Sequence, residues 1–149
     1  MFNDGLKLKG RVGIVVKDKD GNVKEKRQET NLVVSAGLDY IASRMKDATA
    51  TAMTHMALGT GTSAAAAGDT ALGTQAGSRE ILDATTVTNN TIKYEAAFEA
   101  GDVTGAITEA GVFNADTAGT MLCRVVFSPV NLSVTDSISV DWTITISAS

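Results

Sequence analysis

The sequence predicts a mainly β protein: an antiparallel β-sandwich, jelly-roll-like, with one short α-helix after an N-terminal β-hairpin. Three observations predict it. Apolar and polar residues alternate with a period of two along several short runs, turn residues interrupt those runs roughly every eight to twelve positions, and a single stretch changes to helical spacing. About seven or eight strands are expected, and a small closed barrel is the main alternative because sequence does not say whether the outer strands meet. The 149 residues fit one domain, read as a hairpin over 1–31, a helix over 35–47, and strands over 53–149 with a long loop at 59–75.

Taken in order, residues 6–16 and 23–31 each alternate, and Asp18-Lys19-Asp20-Gly21-Asn22 lies between them. Asp-Gly between two such runs is a strong hairpin signal. Asp18, Asp20 and Asn22 half-match a calcium loop, but Val23 stands where that loop needs glycine, so a turn is expected. Ser35 suits an N-cap for residues 36–46, where Leu38, Ile41, Ala42 and Met45 form an i, i+3, i+4, i+7 stripe expected to pack on the sheet. Residues 53–58 are apolar enough for a buried strand, and Gly59 and Gly61 are expected to take positive φ at its exit. The loop that follows is long, small and nearly uncharged. Such loops tend to be functional, so Gly59, Thr60, Gly61, Thr62, Asp69 and Leu72 are its candidate contact residues.

Beyond the loop, residues 80–87 and 91–100 read as a second hairpin about Asn89-Asn90, with Tyr94, Ala96 and Phe98 on one face. Runs 106–114, 121–127 and 137–146 follow, the last two separated at Ser128-Pro129. In the last run Ile138, Val140, Trp142, Ile144 and Ile146 alternate with polar residues. Trp142, Tyr40 and Tyr94 all fall at expected core positions, leaving few aromatic platforms for a sugar.

Composition narrows the function. A net charge of −4 and a pI near 4.9 argue against nucleic-acid binding, which needs clustered cations. The one basic cluster is local, in the hairpin: Lys7, Lys9, Arg11, Lys17, Lys19, Lys24, Lys26 and Arg27. Two uses suit them, protection of a sheet edge or docking to an acidic protein surface. Cys123 stands alone in an apolar run and is expected to be a buried, inert thiol in a protein made in a reducing cytoplasm. No run approaches a membrane-spanning length, and the first residues, with Asp4, do not read as a signal peptide. The glycine loop is no phosphate cradle, since no Lys or Arg occurs between Lys46 and Arg79.

Catalysis and metal binding are not expected. His55 is the only histidine, without the partners a triad requires, and one His with one Cys cannot build a zinc site. Carboxylates such as Asp83, Glu95, Glu99, Asp102 and Asp141 are read as solvated surface. Glu109 is different: small and apolar residues flank it, so burial would demand a partner. Arg79, similarly placed in Gly77-Ser78-Arg79, is the expected partner in a structural ion pair.

Four segments carry a family resemblance. They are Ala57-Leu58-Gly59-Thr60-Gly61-Thr62 with Gly68-Asp69-Thr70-Ala71-Leu72, then Thr108-Glu109-Ala110-Gly111-Val112-Phe113-Asn114, Asn31-Leu32-Val33-Val34-Ser35-Ala36-Gly37-Leu38, and the run 136–146. Together they resemble a family of small bacteriophage virion structural proteins of tail-fibre or baseplate type. The resemblance spans about 31–146 and implies a non-enzymatic adaptor without cofactor. It would be assembled in the host bacterial cytoplasm into the virion, in the tail rather than the capsid. Its expected partners are itself, as a trimer by analogy, and other virion proteins, with no nucleic acid or membrane. A capsid decoration protein and a carbohydrate-binding receptor module are the alternatives.

Overall fold

Nine strands and one helix make up the computed structural model, which describes residues 5–46 and 50–148. The first four residues of the expected hairpin and the expected last helical residue, 47, lie outside them. The strands are β1 (Leu6–Lys17), β2 (Val23–Val33), β3 (His55–Gly59), β4 (Gln75–Ile81), β5 (Ala84–Thr88), β6 (Thr91–Phe98), β7 (Gly105–Phe113), β8 (Met121–Leu132) and β9 (Ser137–Ala148). The helix is α1 (Ser35–Lys46). All the strands join one antiparallel sheet in the order β4-β3-β7-β8-β2-β1-β9-β6-β5, curled into a half-barrel. The mainly antiparallel β expectation therefore holds at the level of class.

The alternating strands form the inner core. On β9, Ile138, Val140, Trp142 and Ile144 are buried and pair across with Val16, Ile14, Val12 and Gly10 of β1 on one side. On the other side they meet Phe98, Ala96, Tyr94 and Ile92 of β6. The Trp142 indole N–H needs a partner in so apolar a place. Asn31 supplies it: with its oxygen toward the indole, the amide accepts from Trp142 Nε1 at 3.2 Å and donates to the Gly10 carbonyl at 3.1 Å. The Asn31 side chain occupies the space a Cβ on Gly10 would need.

The turns bear out their residues. Asp18 Oδ1 accepts from the amides of Asp20 and Asn22, with Gly21 at φ +81°, and Asn89 takes φ +53° in the β5–β6 turn. Two strand expectations fail. The run 80–87 is not one strand: β4 ends at Ile81, and Leu82-Asp83 carries the chain across to β5. Since β4 and β5 are the two ends of the sheet order, this short link draws both free edges together. Ser128-Pro129 does not separate strands either, because β8 runs through it. The ladder steps from Ile107↔Val130 to Glu109↔Val126, so Pro129 lies in a bulge where its missing N–H costs no ladder bond.

The helix forms where spacing placed it but turns a different face inward. Leu38 and Met45 are 46% and 80% exposed, and Ala42 is exposed as well, whereas Gly37 is buried and Tyr40 and Ile41 are half-buried against the core. Close approach at Gly37 explains the rotation: a Cβ there would lie 2.1 Å from the Leu122 carbonyl oxygen on β8. The helix begins at Ser35, its first bond running from the Leu38 amide to the Val34 carbonyl, so Ser35 is its first helical residue and not the cap.

The basic hairpin occupies the middle of the sheet, not an end of it. β2 pairs with β8 only at Leu32 and Val33 and then diverges. Arg27 spans the gap, donating to the carbonyls of Ser128 and Pro129 at 2.9 and 3.0 Å while Glu25 holds its Nε at 2.7 Å.

Candidate functional site

β7 is buried on both faces from Ile107 to Phe113, which a strand in a single-layer sheet could not be unless something covered its outer side. The loop 60–74 is that cover. Beneath it and the start of α1 lies a second small apolar cluster of Val34, Ala57, Phe113 and Met121, onto which Leu72 and Ala36 pack. The cluster is separate from the inner core, so the loop forms a local outer layer over β3, β7 and β8.

Glu109 of β7 holds this layer in place. Its side chain is fully buried. Oε1 accepts from the amides of Gly61 (2.9 Å) and Thr74 (2.7 Å). Oε2 accepts from the Gly73 amide (2.9 Å) and from Arg124 Nε (3.0 Å) and Nη2 (2.8 Å). Arg124, also buried, stands on the neighbouring strand β8 and spends its other donors on the loop, giving Nη1 to Asp69 Oδ2 (2.8 Å) and Nη2 to the Ser63 carbonyl (3.1 Å). Thr108 donates its hydroxyl to the Gly61 carbonyl at 2.7 Å, and Ser35 anchors the tip through its amide on the Ala67 carbonyl at 2.7 Å.

The electrostatics follow from this packing. Burial alone would raise the Glu109 pKa, but the amides of Thr74 and Gly73, the Arg124 guanidinium and the Gly61 amide together hold it below its ordinary value. Asp69 is lowered first by the Ala66 amide, which outweighs its burial, with help from Arg124. Both carboxylates are therefore anions at neutral pH, and Arg124 is the cation they share. Among the described residues no buried side-chain polar atom lacks an internal partner, those of the cluster included. Such a saturated carboxylate has no lone pair poised for proton transfer, so its chemistry here is structural.

The expected ion pair needs correction. Glu109 pairs with Arg124, whereas Arg79 stacks 3.6 Å from the centre of the Phe113 ring and donates to the carbonyls of Ala115 and Ala118, both at 2.9 Å. It thereby clasps the β7–β8 turn, where Ala118 holds φ +52°. The glycines are corrected too. Gly59 and Gly61 are not among the positive-φ residues; they are glycine because a Cβ on either would come within 2.5 Å of Glu109 Oε1. Of the candidate contact residues, Gly59 and Gly61 are buried, Asp69 is ion-paired, Leu72 is half-buried, and only Thr60 and Thr62 are exposed. The loop is thus anchored at both ends and at its middle as a fitted cover over β7, with most of its outer residues exposed.

The remaining candidates are simply placed. His55 is half-buried with Nδ1 2.8 Å from the Thr54 hydroxyl, and Cys123 is buried with its pKa pushed well up by desolvation. Among the described residues, no three His, Cys, Asp or Glu side chains gather as metal ligands would. Trp142 and Tyr94 are buried as expected, but Tyr40 is half-buried at the edge of an apolar groove of about 480 Å³. That groove runs between α1 and the ends of β5, β6 and β9, bordered by Ile41, Met45, Val87, Ile92 and Ile146. No protein-family model matches the chain, and no curated protein or solved structure does either.

Proposed function

We propose that the protein is a non-enzymatic structural module of a tailed-bacteriophage virion, a small tail-fibre or baseplate adaptor that works through protein–protein contacts. Two lines support this reading. The buried charged cluster is fully used in holding the protein's own loop, so the polar chemistry of the interior serves architecture. The observation that carries the reading is on the surface. Met45 and Val87, 80% and 69% exposed, lie across the apolar groove from one another, and side chains of that size left bare at a groove are characteristic of partner-binding surfaces. We also propose that the two halves of the curled sheet act as the facing layers of a jelly-roll-like sandwich, giving a rigid body to place between neighbours.

The test is to locate the chain in an electron-microscopy map of the intact particle, alongside particles assembled with Met45→Glu and Val87→Glu. Density in the tail, with incorporation lost in the double variant, supports the adaptor. Density on the head shell would transfer the module to capsid decoration, and undiminished incorporation of the variant would refute the groove as its contact surface.

A further inference from the structure

The hairpin's cations are sorted by the pleat. Lys7, Lys9, Arg11 and Lys17 alternate along β1 with the buried Val12, Ile14 and Val16, so they project together from the outer face, and Lys26, opposite Val15, joins them from β2. Successive members are about 7 Å apart where they occupy alternate positions. Among the described residues none of the five has an ionic partner, in contrast to Lys24, held by Asp136 at 2.7 Å, and Arg27, turned inward to Glu25. At the middle of this face, Lys9 and Arg11 share a polar groove of about 690 Å³ with Gln28, Glu29, Thr30, Thr143 and Thr145. Its one carboxylate, Glu29, also lies 3.8 Å from Arg27 Nη1, so the two cations keep a positive balance suited to a partner's carboxylates.

The opposite charge collects where the sheet edges meet. Glu80 at the end of β4, Asp83 in the link to β5, and Glu99 and Asp102 in the turn after β6 gather there: the Asp83 amide donates to the Glu95 carbonyl of β6 at 2.8 Å, the Glu99 amide donates to Asp102 Oδ2 at 2.7 Å, and the Asp102 carbonyl lies against Gly77 of β4, so that burial and the three neighbouring carboxylates raise the Glu80 pKa. Among the described residues no Lys or Arg is ion-paired to any of the four. Sheet topology separates the two regions. β2 is the fifth of nine strands, with four on either side, and the seam joins the strands at the two ends. β1 and β6 both flank β9, so Lys17, opposite Ser137, lies only two strands from the end of β6 and the seam, but Lys9 and Arg11, opposite Thr145 and Thr143, stand farther along β1, about 20–27 Å away, and the seam cannot neutralise them within one molecule.

We infer that the outer face of β1 and β2 docks onto the carboxylate seam of a second copy of this chain, head to tail. This rests on the assembly reading above and names the surfaces that would carry it. A contact between two unlike patches is heterologous, and repetition closes it into a ring or extends it as a chain.

Charge reversal tests the inference, using exposed residues whose replacement leaves the core untouched: Lys9→Glu with Arg11→Glu on the face, and Asp83→Lys with Glu99→Lys on the seam. Sedimentation velocity at about 50 mM NaCl should show the unaltered protein self-associating, and the association should fall at about 500 mM NaCl as screening tightens. Each reversed pair should weaken association by about tenfold or more, with thermal unfolding unchanged. Mixing the two reversed proteins should restore association, because each then offers the charge the other lacks. A protein monomeric at low salt up to about 100 μM would overturn the inference. Reversals without effect on a self-associating protein would also overturn it while leaving the assembly reading intact, and a mixture that stays dissociated would show that the two surfaces do not meet.

Discussion

Replacing Arg124 by Met should remove the cation from the loop-holding cluster while keeping most of its apolar bulk. Glu109 would lose both guanidinium bonds, Asp69 its ion pair, and the Ser63 carbonyl its donor. Leaving a buried carboxylate without its cation costs about 3–5 kcal/mol, and the three remaining backbone amides on Glu109 place the expected loss toward the lower half of that range. Glu109→Gln should cost a similar amount. Whichever oxygen becomes the amide nitrogen, it faces N–H donors: those of Gly61 and Thr74 at one position, those of Gly73 and Arg124 at the other. Urea unfolding of both single variants and the double variant should give a coupling of about 2–3 kcal/mol, because the two changes remove the same contacts. The companion cycle of Arg79→Met with Glu109→Gln should add to within about 0.5 kcal/mol, since Arg79 acts on Phe113 and the β7–β8 turn instead. Hydrogen exchange supplies a local reading: the Gly61, Gly73 and Thr74 amides should be protected in the isolated protein and exchange faster in the Arg124 variant. Additive losses for Arg124 and Glu109, or single losses of about 1 kcal/mol or less, would refute the account of the cluster as a buried latch.

Three further outcomes are expected. Glu109, Asp69 and Asp136 all have folded pKa values below their ordinary ones, so the stability they contribute is fully present above the unfolded carboxylate range near pH 4 and is lost as pH falls through the lowered values. Glu80, raised, works in the opposite direction, destabilising the fold once pH exceeds its unfolded value; Glu80→Gln should therefore gain stability at pH 7 relative to pH 4 in urea titrations at the two pH values. Gly37→Ala improves helix propensity by about 1 kcal/mol, yet its methyl would strike the Leu122 carbonyl, so a net loss of about 1–3 kcal/mol is expected as a lowered Tm.

Much of the fold was legible because most strands are buried on one face and therefore alternate; β9 and the hairpin turns are the clearest cases. The helix was legible as an element, but its orientation was not, because periodicity counts large apolar side chains and the contact that orients α1 is made by a glycine with no side chain to count. Glu109 could be read as buried from its neighbours, while its partner was missed by attention to the wrong arginine. The signal was present: Arg124 stands within Leu122-Cys123-Arg124-Val125-Val126, a charge in an unbroken apolar run. The loop misled for the same reason as the helix. Its small residues look like freedom, but they are small so that backbone amides can reach a carboxylate.

The pairing of β1 with β9 has a consequence for synthesis. Val12, Ile14 and Val16 obtain half of their ladder from residues 138–142, which leave the ribosome roughly a hundred residues after the hairpin. At about 5–20 residues per second the hairpin waits on the order of ten seconds for that partner. During the interval its apolar stripe is open to any passing strand. The lysines on its other face and the Glu25-Arg27-Glu29 row beside the stripe act as gatekeepers while it waits, keeping the nascent hairpin from joining a neighbour's before its own last strand arrives.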